Sequence, residues 1–472
     1  MSGQHAVRRV ALVSMTPRVD GNEHGDLQLP SYGIRRIQAA VLACPELAHL
    51  ETRLIDLTVA DCRDYVNELE SFEPQVIGFS LFVWSMPVLT QVAQEIRRRL
   101  PQCVLVFGGP SARPEVFDLA WYRPRREAVD ALVTREGEVT FCDLVRALDQ
   151  RARTLSIREC LQQVTGLHLP AADHWLSTGA RKLVRVLDHL ASPYQMGLMQ
   201  YGDVGYLETF RGCPMSCTFC EWGAADLSRG SFSEKYLIRE LEGLRNHGCD
   251  SVFNVDAGLN LNKQAFRNLA AAEAKVQLFR ESRIWCEIYP SMIRDEHLDF
   301  LSHCGPSYLG VGLQSFDPQL LQRLKRPTGL NEFSDSIQKL AAVATNLEVQ
   351  VIFGLPTDSW SGFMETLTRA IALPATVRVY HALVLPDALL TRGDPEWQMQ
   401  FDERSLAMIS CAGWSADQIL EMRSLLDHES LGCGGKAGKY WWSFPPPAAR
   451  LRDPKFPERY FHAAPLRQDH PQ

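Results

Sequence analysis

Short apolar runs alternate with amphipathic stretches twice along the chain. In the first round, Val10–Met15, Thr52–Leu57, Val76–Ser80, Cys103–Gly108 and Ala131–Val133 are β-branched and apolar, as buried strands are. Among them, Ser31–Ala43, Asp61–Ser71, Met86–Leu100 and Thr140–Leu148 place apolar residues at helical spacing. This alternation predicts an open parallel sheet, whose ligands lie beyond the carboxyl ends of its strands. The second round opens with a strand at Tyr206–Phe210 and a helix from about Glu234. It continues through strands at Ser251–Val255, Arg283–Glu287, Tyr308–Ser315, Glu348–Gly354 and Arg378–Val384, with a helix over Trp360–Leu373. Six strand candidates suit a partial (β/α) barrel with its active site at the strands' carboxyl ends. Residues 151–200 read as a connector and residues 386–472 as a short irregular extension, which divides the chain at 1–150, 151–200, 201–385 and 386–472.

Composition narrows the class without naming a chemistry. The 472 residues are 46% hydrophobic and 22% charged, ordinary for a globular protein of two or three domains. A formal net charge of −7 argues against a general nucleic-acid binder. No apolar run approaches the ~20 residues that span a bilayer. The first residues lead directly into a strand and show no secretory signal. A cytoplasmic protein with no membrane and no nucleic-acid partner is the expectation. Most of the 13 cysteines are scattered, as core thiols of a reducing compartment would be.

Three cysteines are not scattered. In Arg211-Gly-Cys-Pro-Met-Ser-Cys-Thr-Phe-Cys-Glu-Trp-Gly223, Cys213, Cys217 and Cys220 stand at Cys-x3-Cys-x2-Cys spacing, directly after a strand. Three thiolates in one loop can hold three corners of a [4Fe–4S] cluster, with a fourth ligand from elsewhere. A structural zinc site would require a second pair of ligands at a comparable spacing, and the chain has no such Cys pair. Cys411 and Cys433 are too few to hold a second cluster. The motif resembles that of the radical S-adenosylmethionine (SAM) superfamily, in which an aromatic residue precedes the third cysteine and lies near the SAM adenine. Phe219 fills that slot. The resemblance covers about residues 5–385 and implies a [4Fe–4S] cluster whose open iron is held by SAM.

The loops of the first round extend the resemblance. Ser80-Leu-Phe-Val-Trp84, Gly108-Gly-Pro110 and Glu136-Gly-Glu138 follow successive strands. Together they resemble a Rossmann- or flavodoxin-like cobalamin-binding domain placed ahead of a radical SAM barrel. The resemblance puts Ser80, Leu81, Phe82, Val83 and Trp84 beneath the corrin. It puts Gly108, Gly109, Pro110, Glu136, Gly137 and Glu138 beside the nucleotide tail. The chain lacks the Asp-x-His-x-x-Gly motif, and His5, His24 and His49 stand in other contexts. This resembles the members that bind cobalamin without a protein imidazole.

In the second round the resemblance makes Asp256, Gly258, Glu287, Gln314, Ser315, Arg326, Ile352 and Gly354 the SAM candidates. Asp256-Ala-Gly258 departs from the family's Gly-Gly-Glu-like stretch. Tyr289 and His381 are candidate substrate contacts or proton carriers, with simple packing of one or both as the alternative reading. The Gly- and aromatic-rich Leu431–Pro447 either caps the barrel mouth or packs as an extension. The resemblance implies a cobalamin-dependent C-methyltransferase. It would act on an unactivated carbon of a small specialised-metabolite precursor, with SAM as radical source and methyl donor. Flavodoxin or ferredoxin would supply electrons. Ring formation or rearrangement, non-radical methylation of an sp² carbon, and a cobalamin or iron–sulfur sensor are the alternatives.

Overall fold

The computed structural model describes residues 7–16, 30–58, 60–224, 230–327 and 329–456. His5 and His24 lie outside the described residues. The first sheet begins with β1 (Arg9–Thr16), which leads to helix α1 (Tyr32–Ala43) and returns as β2 (Glu51–Thr58). Helix α2 (Cys62–Phe72) starts where the Asp61 side chain accepts from the Arg63 and Asp64 amides. Then come β3 (Val76–Ser80), α3 (Met86–Arg99), β4 (Val104–Gly108), a single turn α4 (Pro114–Phe117), β5 (Ala131–Val133) and α5 (Gly137–Asp149). All five residues of β3 are buried, which is why an interior parallel strand reads as an unbroken apolar run. Alternate residues of β1 feed two cores. Ala11 and Val13 pack toward α2 and α3, whereas Val10 and Leu12 pack toward α1 and α5.

The first sheet extends beyond the expected boundary. Helix α6 (Ile157–Gln162) precedes β6 (Leu167–Pro170) and β7 (Trp175–Ser177), which add antiparallel strands beside β5. The order is β2-β1-β3-β4-β5-β6-β7. Residues expected to be a connector therefore supply part of the sheet.

The second sheet keeps chain order. Its strands are β8 (Gly205–Leu207), β9 (Ser251–Asn254), β10 (Arg283–Ile288), β11 (Ser307–Gln314), β12 (Asn346–Phe353) and β13 (Thr376–His381), all parallel. Between them run α7 (Glu234–Asn246), α8 (Lys263–Val276), α9 (Asp295–His303), α10 (Pro318–Arg323), α11 (Leu330–Ala341) and α12 (Trp360–Ile371). Val252, Ile284, Leu309, Val349 and Val377 turn to one face and share a core with these helices. This is the expected partial barrel.

The extension is not irregular. It holds the short pair β14 (Gln400–Phe401) and β15 (Met408–Ser410), then helix α13 (Ala416–Gly432), β16 (Lys436–Ala437) and β17 (Trp441–Phe444). β17 pairs antiparallel with β13, so the tail lengthens the barrel wall. No helix among the described residues is long and apolar enough to cross a membrane.

Candidate functional site

The three-cysteine loop begins where β8 ends, and buried hydrogen bonds fix its start. Asp256, at the end of β9, accepts from the Thr209 amide at 2.8 Å, the Phe210 amide at 3.3 Å, Asn254 Nδ2 at 2.8 Å and the Thr209 hydroxyl. Its carboxyl is pushed up to about 7 by burial, against the pull of those donors. Both oxygens are thus engaged by the loop rather than turned toward a ligand. Farther along, Thr218 donates through its amide and its hydroxyl to the Leu324 carbonyl at 3.0 and 2.9 Å. Arg392, from the extension, donates to the carbonyls of Ser216 at 3.4 Å, Cys217 at 3.0 Å and Cys220.

The thiols sit in a basic setting. Arg326 Nη1 lies 4.0 Å from Cys217 Sγ while Nη2 donates to the Gly312 carbonyl at 2.6 Å. The Met215 amide donates to Cys213 Sγ at 3.4 Å. Burial first, then the neighbouring Cys217 and Cys213, pushes the Cys220 thiol up to about 11. Among the described residues no group of three or more His, Cys, Asp or Glu converges on a single ion. A cluster takes each thiolate on a different iron, so three neighbouring thiols beside arginines fit it and do not fit a zinc ion.

The strand-end candidates separate into two groups. Glu287 and Arg326 face the open side of the sheet. Gly310 and Gly312 make room there, since a Cβ on Gly310 would strike the Glu287 carboxyl and one on Gly312 would meet Gln314 Nε2 at 2.6 Å and Arg326 Nη2 at 3.1 Å. Gln314 takes a left-handed backbone with φ of 69°, which turns the chain at the end of β11. Ile352 is partly exposed on the same side. Phe219 is half-buried against the barrel core.

The other candidates are otherwise occupied. The Ser315 hydroxyl meets Thr366 Oγ1 at 3.2 Å and accepts from the Asp317 amide at 3.0 Å. Gly258 is buried against Leu261, and a Cβ on Gly354 would meet Ile419 of α13 at 3.1 Å. Tyr289 donates to the Pro327 carbonyl and lies 4.6 Å beneath the Arg326 guanidinium, so it orients Arg326. His381 faces the helices. It stacks on Phe353 at 4.6 Å, meets Arg423 Nη1 at 3.0 Å through Nδ1, and is pushed down to about 4 by burial and then by Arg423. Such a histidine is packed among neighbours on the helix side of the sheet.

The carboxyl edge of the first sheet has two faces of interest. Phe82 and Trp84 stack at 4.5 Å, and Trp84 is 45% exposed with Nε1 donating to the Met15 carbonyl at 3.3 Å. It is an edge aromatic, not a core residue. Ser80 and Leu81 are buried, and Val83 is partly exposed between them and Trp84. Gly109, with φ of +93°, permits the close approach of this loop, because a Cβ would meet the Leu81 carbonyl oxygen at 2.6 Å. Pro110 and Gly108 remain partly exposed beside it. No histidine occurs in the Ser80–Trp84 loop, and His168 on β6 is engaged with Thr134 Oγ1 at 3.4 Å. An aromatic shelf without imidazole fits a broad flat ligand held without protein axial ligation.

Glu136 and Glu138 do something else. Glu138 pairs with Arg211, the residue that opens the cysteine loop, and Glu136 stands 3.7 Å from it. Arg211 Nε also meets Glu208 at 2.8 Å. Arg211 foremost and Arg36 after it hold the Glu138 carboxyl down at about 2 despite full burial. Gly137 sits against Ile37 of α1. The Glu-Gly-Glu stretch thus grips the cysteine loop. A second tie joins Arg113, after β4, to Asp387 of the extension at 2.7 Å.

Comparison with known proteins gives two family matches. Residues 30–145 match the B12 binding domain and residues 207–370 match the radical SAM superfamily. The cobalamin-dependent radical SAM methyltransferase TokK of Streptomyces tokunonensis is 28% identical over 354 residues, covering 71% of this chain and 50% of that one. The 2-(S-pantetheinyl)-carbapenam-3-carboxylate methyltransferase of Streptantibioticus cattleyicolor is 27% identical, over 67% and 48% of the two chains. The chain spans about half the length of these curated relatives. The fold is that of the radical SAM methyltransferase TsrM from Kitasatospora setae, solved with tryptophan and a SAM analogue, with TM-score 0.67, 16% identity and coverage of 89% of this chain and 90% of that one.

Proposed function

Because this chain is a radical SAM protein with a B12-binding domain, homologous to cobalamin-dependent radical SAM methyltransferases, we propose that it is a C-methyltransferase acting on an unactivated carbon of a small specialised-metabolite precursor. The observation that carries this reading is the double tie between the first domain and the barrel, Glu138 to Arg211 and Arg113 to Asp387. It fixes the aromatic shelf and the cysteine loop in one frame, as two cofactors sharing one substrate would require.

When bound, the cluster would supply the electron for reductive cleavage of SAM, and cobalamin the methyl group. Cys213, Cys217 and Cys220 would hold the cluster. Arg392 and Thr218 shape its loop, and Arg326 places positive charge beside Cys217. Glu287 and Arg326 face the space where SAM or the acceptor would lie, and Phe82 and Trp84 would offer their rings to the corrin.

The test is reaction of reduced, reconstituted enzyme with methyl-deuterated SAM and candidate acceptors. The expected result is label in the product, with S-adenosylhomocysteine and 5′-deoxyadenosine in about equal amounts, one for each use of SAM. Deoxyadenosine without methyl gain would replace this reading with ring formation or rearrangement. S-adenosylhomocysteine alone would replace it with non-radical methylation.

A further inference from the structure

The cysteine loop comes to the surface at its middle. Pro214 and Ser216 are exposed, while Cys217 and Thr218 just after them are buried. Two elements from distant parts of the chain flank that opening, and each brings positive charge. On one side is the end of α10, tied to the loop where Thr218 donates twice to the Leu324 carbonyl. The residues on either side of Leu324, Arg323 and Lys325, are both exposed. Arg323 is steadied by Nε donating to Thr357 Oγ1 at 2.9 Å, and Lys325 takes a left-handed backbone with φ of 55°, which ends the helix. On the other side is Arg392 of the extension, half-buried, which donates to the Ser216 and Cys217 carbonyls.

None of these three cations forms an ion pair among the described residues. The acids nearest to them in sequence are otherwise held. Asp317 and Asp394 accept from backbone amides as helix caps, and Asp387 pairs with Arg113 at 2.7 Å. The chain as a whole carries a formal net charge of −7, so a cationic collar around one opening runs against its average surface. Charge of this kind steers a partner of opposite sign and fixes its orientation, and salt weakens the effect. A radical SAM protein takes one electron from outside for each SAM that it cleaves, and this opening is where the cysteine loop meets solvent.

We infer that an acidic one-electron carrier protein docks on the collar of Arg323, Lys325 and Arg392 and passes its electron in through the cysteine loop. The carrier is oxidised by one electron and the bound cluster is reduced by one, with no proton or group transferred. The inference rests on the cluster-bearing part of the proposed reading and does not depend on what is methylated. Reconstituted holoenzyme is titrated by calorimetry with oxidised flavodoxin at low and at high salt. Arg323→Glu combined with Lys325→Glu should weaken binding about tenfold at low salt, and the gap should close at high salt. In stopped flow with SAM present, oxidation of flavodoxin hydroquinone should slow by a similar factor, while reduction by the small cationic methyl viologen radical should not slow. Arg8→Glu combined with Arg153→Glu reverses two exposed cations at the amino edge of the first sheet and should leave binding at the parental level. An equal loss from that control would reduce the effect to net charge and overturn the docking site. Parental binding by the Arg323 and Lys325 double variant would overturn it too, as would salt-independent binding by the parent. A loss with methyl viologen that matches the loss with flavodoxin would also overturn it, because these residues would then hold the cysteine loop and not a partner. Binding and electron entry as expected, with no labelled methyl product, would leave this inference standing and count against the methyltransferase reading alone.

Discussion

Arg392 organises three carbonyls of the cysteine loop from a position 172 residues away from Cys220. Removing it leaves those carbonyls without their charged donor, at a cost of about 1.5–3 kcal/mol for hydrogen bonds of this kind. Arg392→Ala should therefore fold but lose iron after anaerobic reconstitution, with absorbance near 400 nm, to be read against about four irons per chain for the parent. Asp256→Asn tests the other end of the loop. An amide cannot accept from four donors as the carboxyl does, and one of its own N–H groups would face another donor. The expected loss is about 1–3 kcal/mol in denaturant unfolding, with cluster content falling in parallel. Neither role was legible in the sequence. Nothing near Arg392 marks it as a loop clamp, and an aspartate at a strand end looks alike whether it serves a ligand or a neighbouring turn. His381 shows the same limit, since strand periodicity gives alternate faces without saying which one the helices cover.

At the scale of elements, the strands were legible because parallel strands buried on both sides need apolar residues throughout, as in Val76–Ser80. Helix α13 was not. Ile419, Met422 and Leu426 turn inward, but Leu420 and Leu431 are 63% and 57% exposed, which blurs the helical period that marks the other helices. The link between α5 and the cysteine loop gives a prediction with a definite sign. The Glu138 carboxyl is held near 2, below its ordinary 4.5, so its stabilising contribution is full above about pH 4.5 and is lost as the pH falls toward 2. The amount is on the order of 3 kcal/mol. Denaturant unfolding of the cofactor-free chain should lose stability between pH 5 and pH 3, and Glu138→Gln should lose less over the same interval. Equal slopes for the two chains would remove the clasp from the account.

Across the whole molecule, the extension is the part that joins the rest. Its β17 continues the barrel wall, its Arg392 holds the cysteine loop, and its Asp387 reaches the first domain. Tyr122 of the first domain also donates to the Arg404 carbonyl at 2.8 Å, and the Trp121 amide to Glu403 at 2.6 Å. The two βα arrays could be read from the sequence because each makes its own core. The contacts that set one array against the other are single residues far apart in the chain, mostly polar and with Tyr32 stacked on Tyr206 beside them, and no periodicity announces them. Arg113 and Asp387 offer a test of what that seating does, with Asp387 the cleaner of the two because Arg113 also donates to the Gly109 carbonyl at 3.0 Å. Both Arg113→Ala and Asp387→Ala should leave iron content near the parental value, and Asp387→Ala should leave cobalamin binding there too. A small displacement between two reacting groups costs about 100-fold in rate, so methyl transfer should fall by about 10- to 100-fold while SAM cleavage persists. The signature is deoxyadenosine in excess over methylated product, measured by chromatography with mass detection. The double variant should be no worse than either single one, since both remove the same tie. Loss of SAM cleavage in step with methyl transfer would mean that the pair holds the cysteine loop itself, and the first domain would then be seated by its other contacts, the Arg211 clasp and the Tyr122 and Trp121 hydrogen bonds among them.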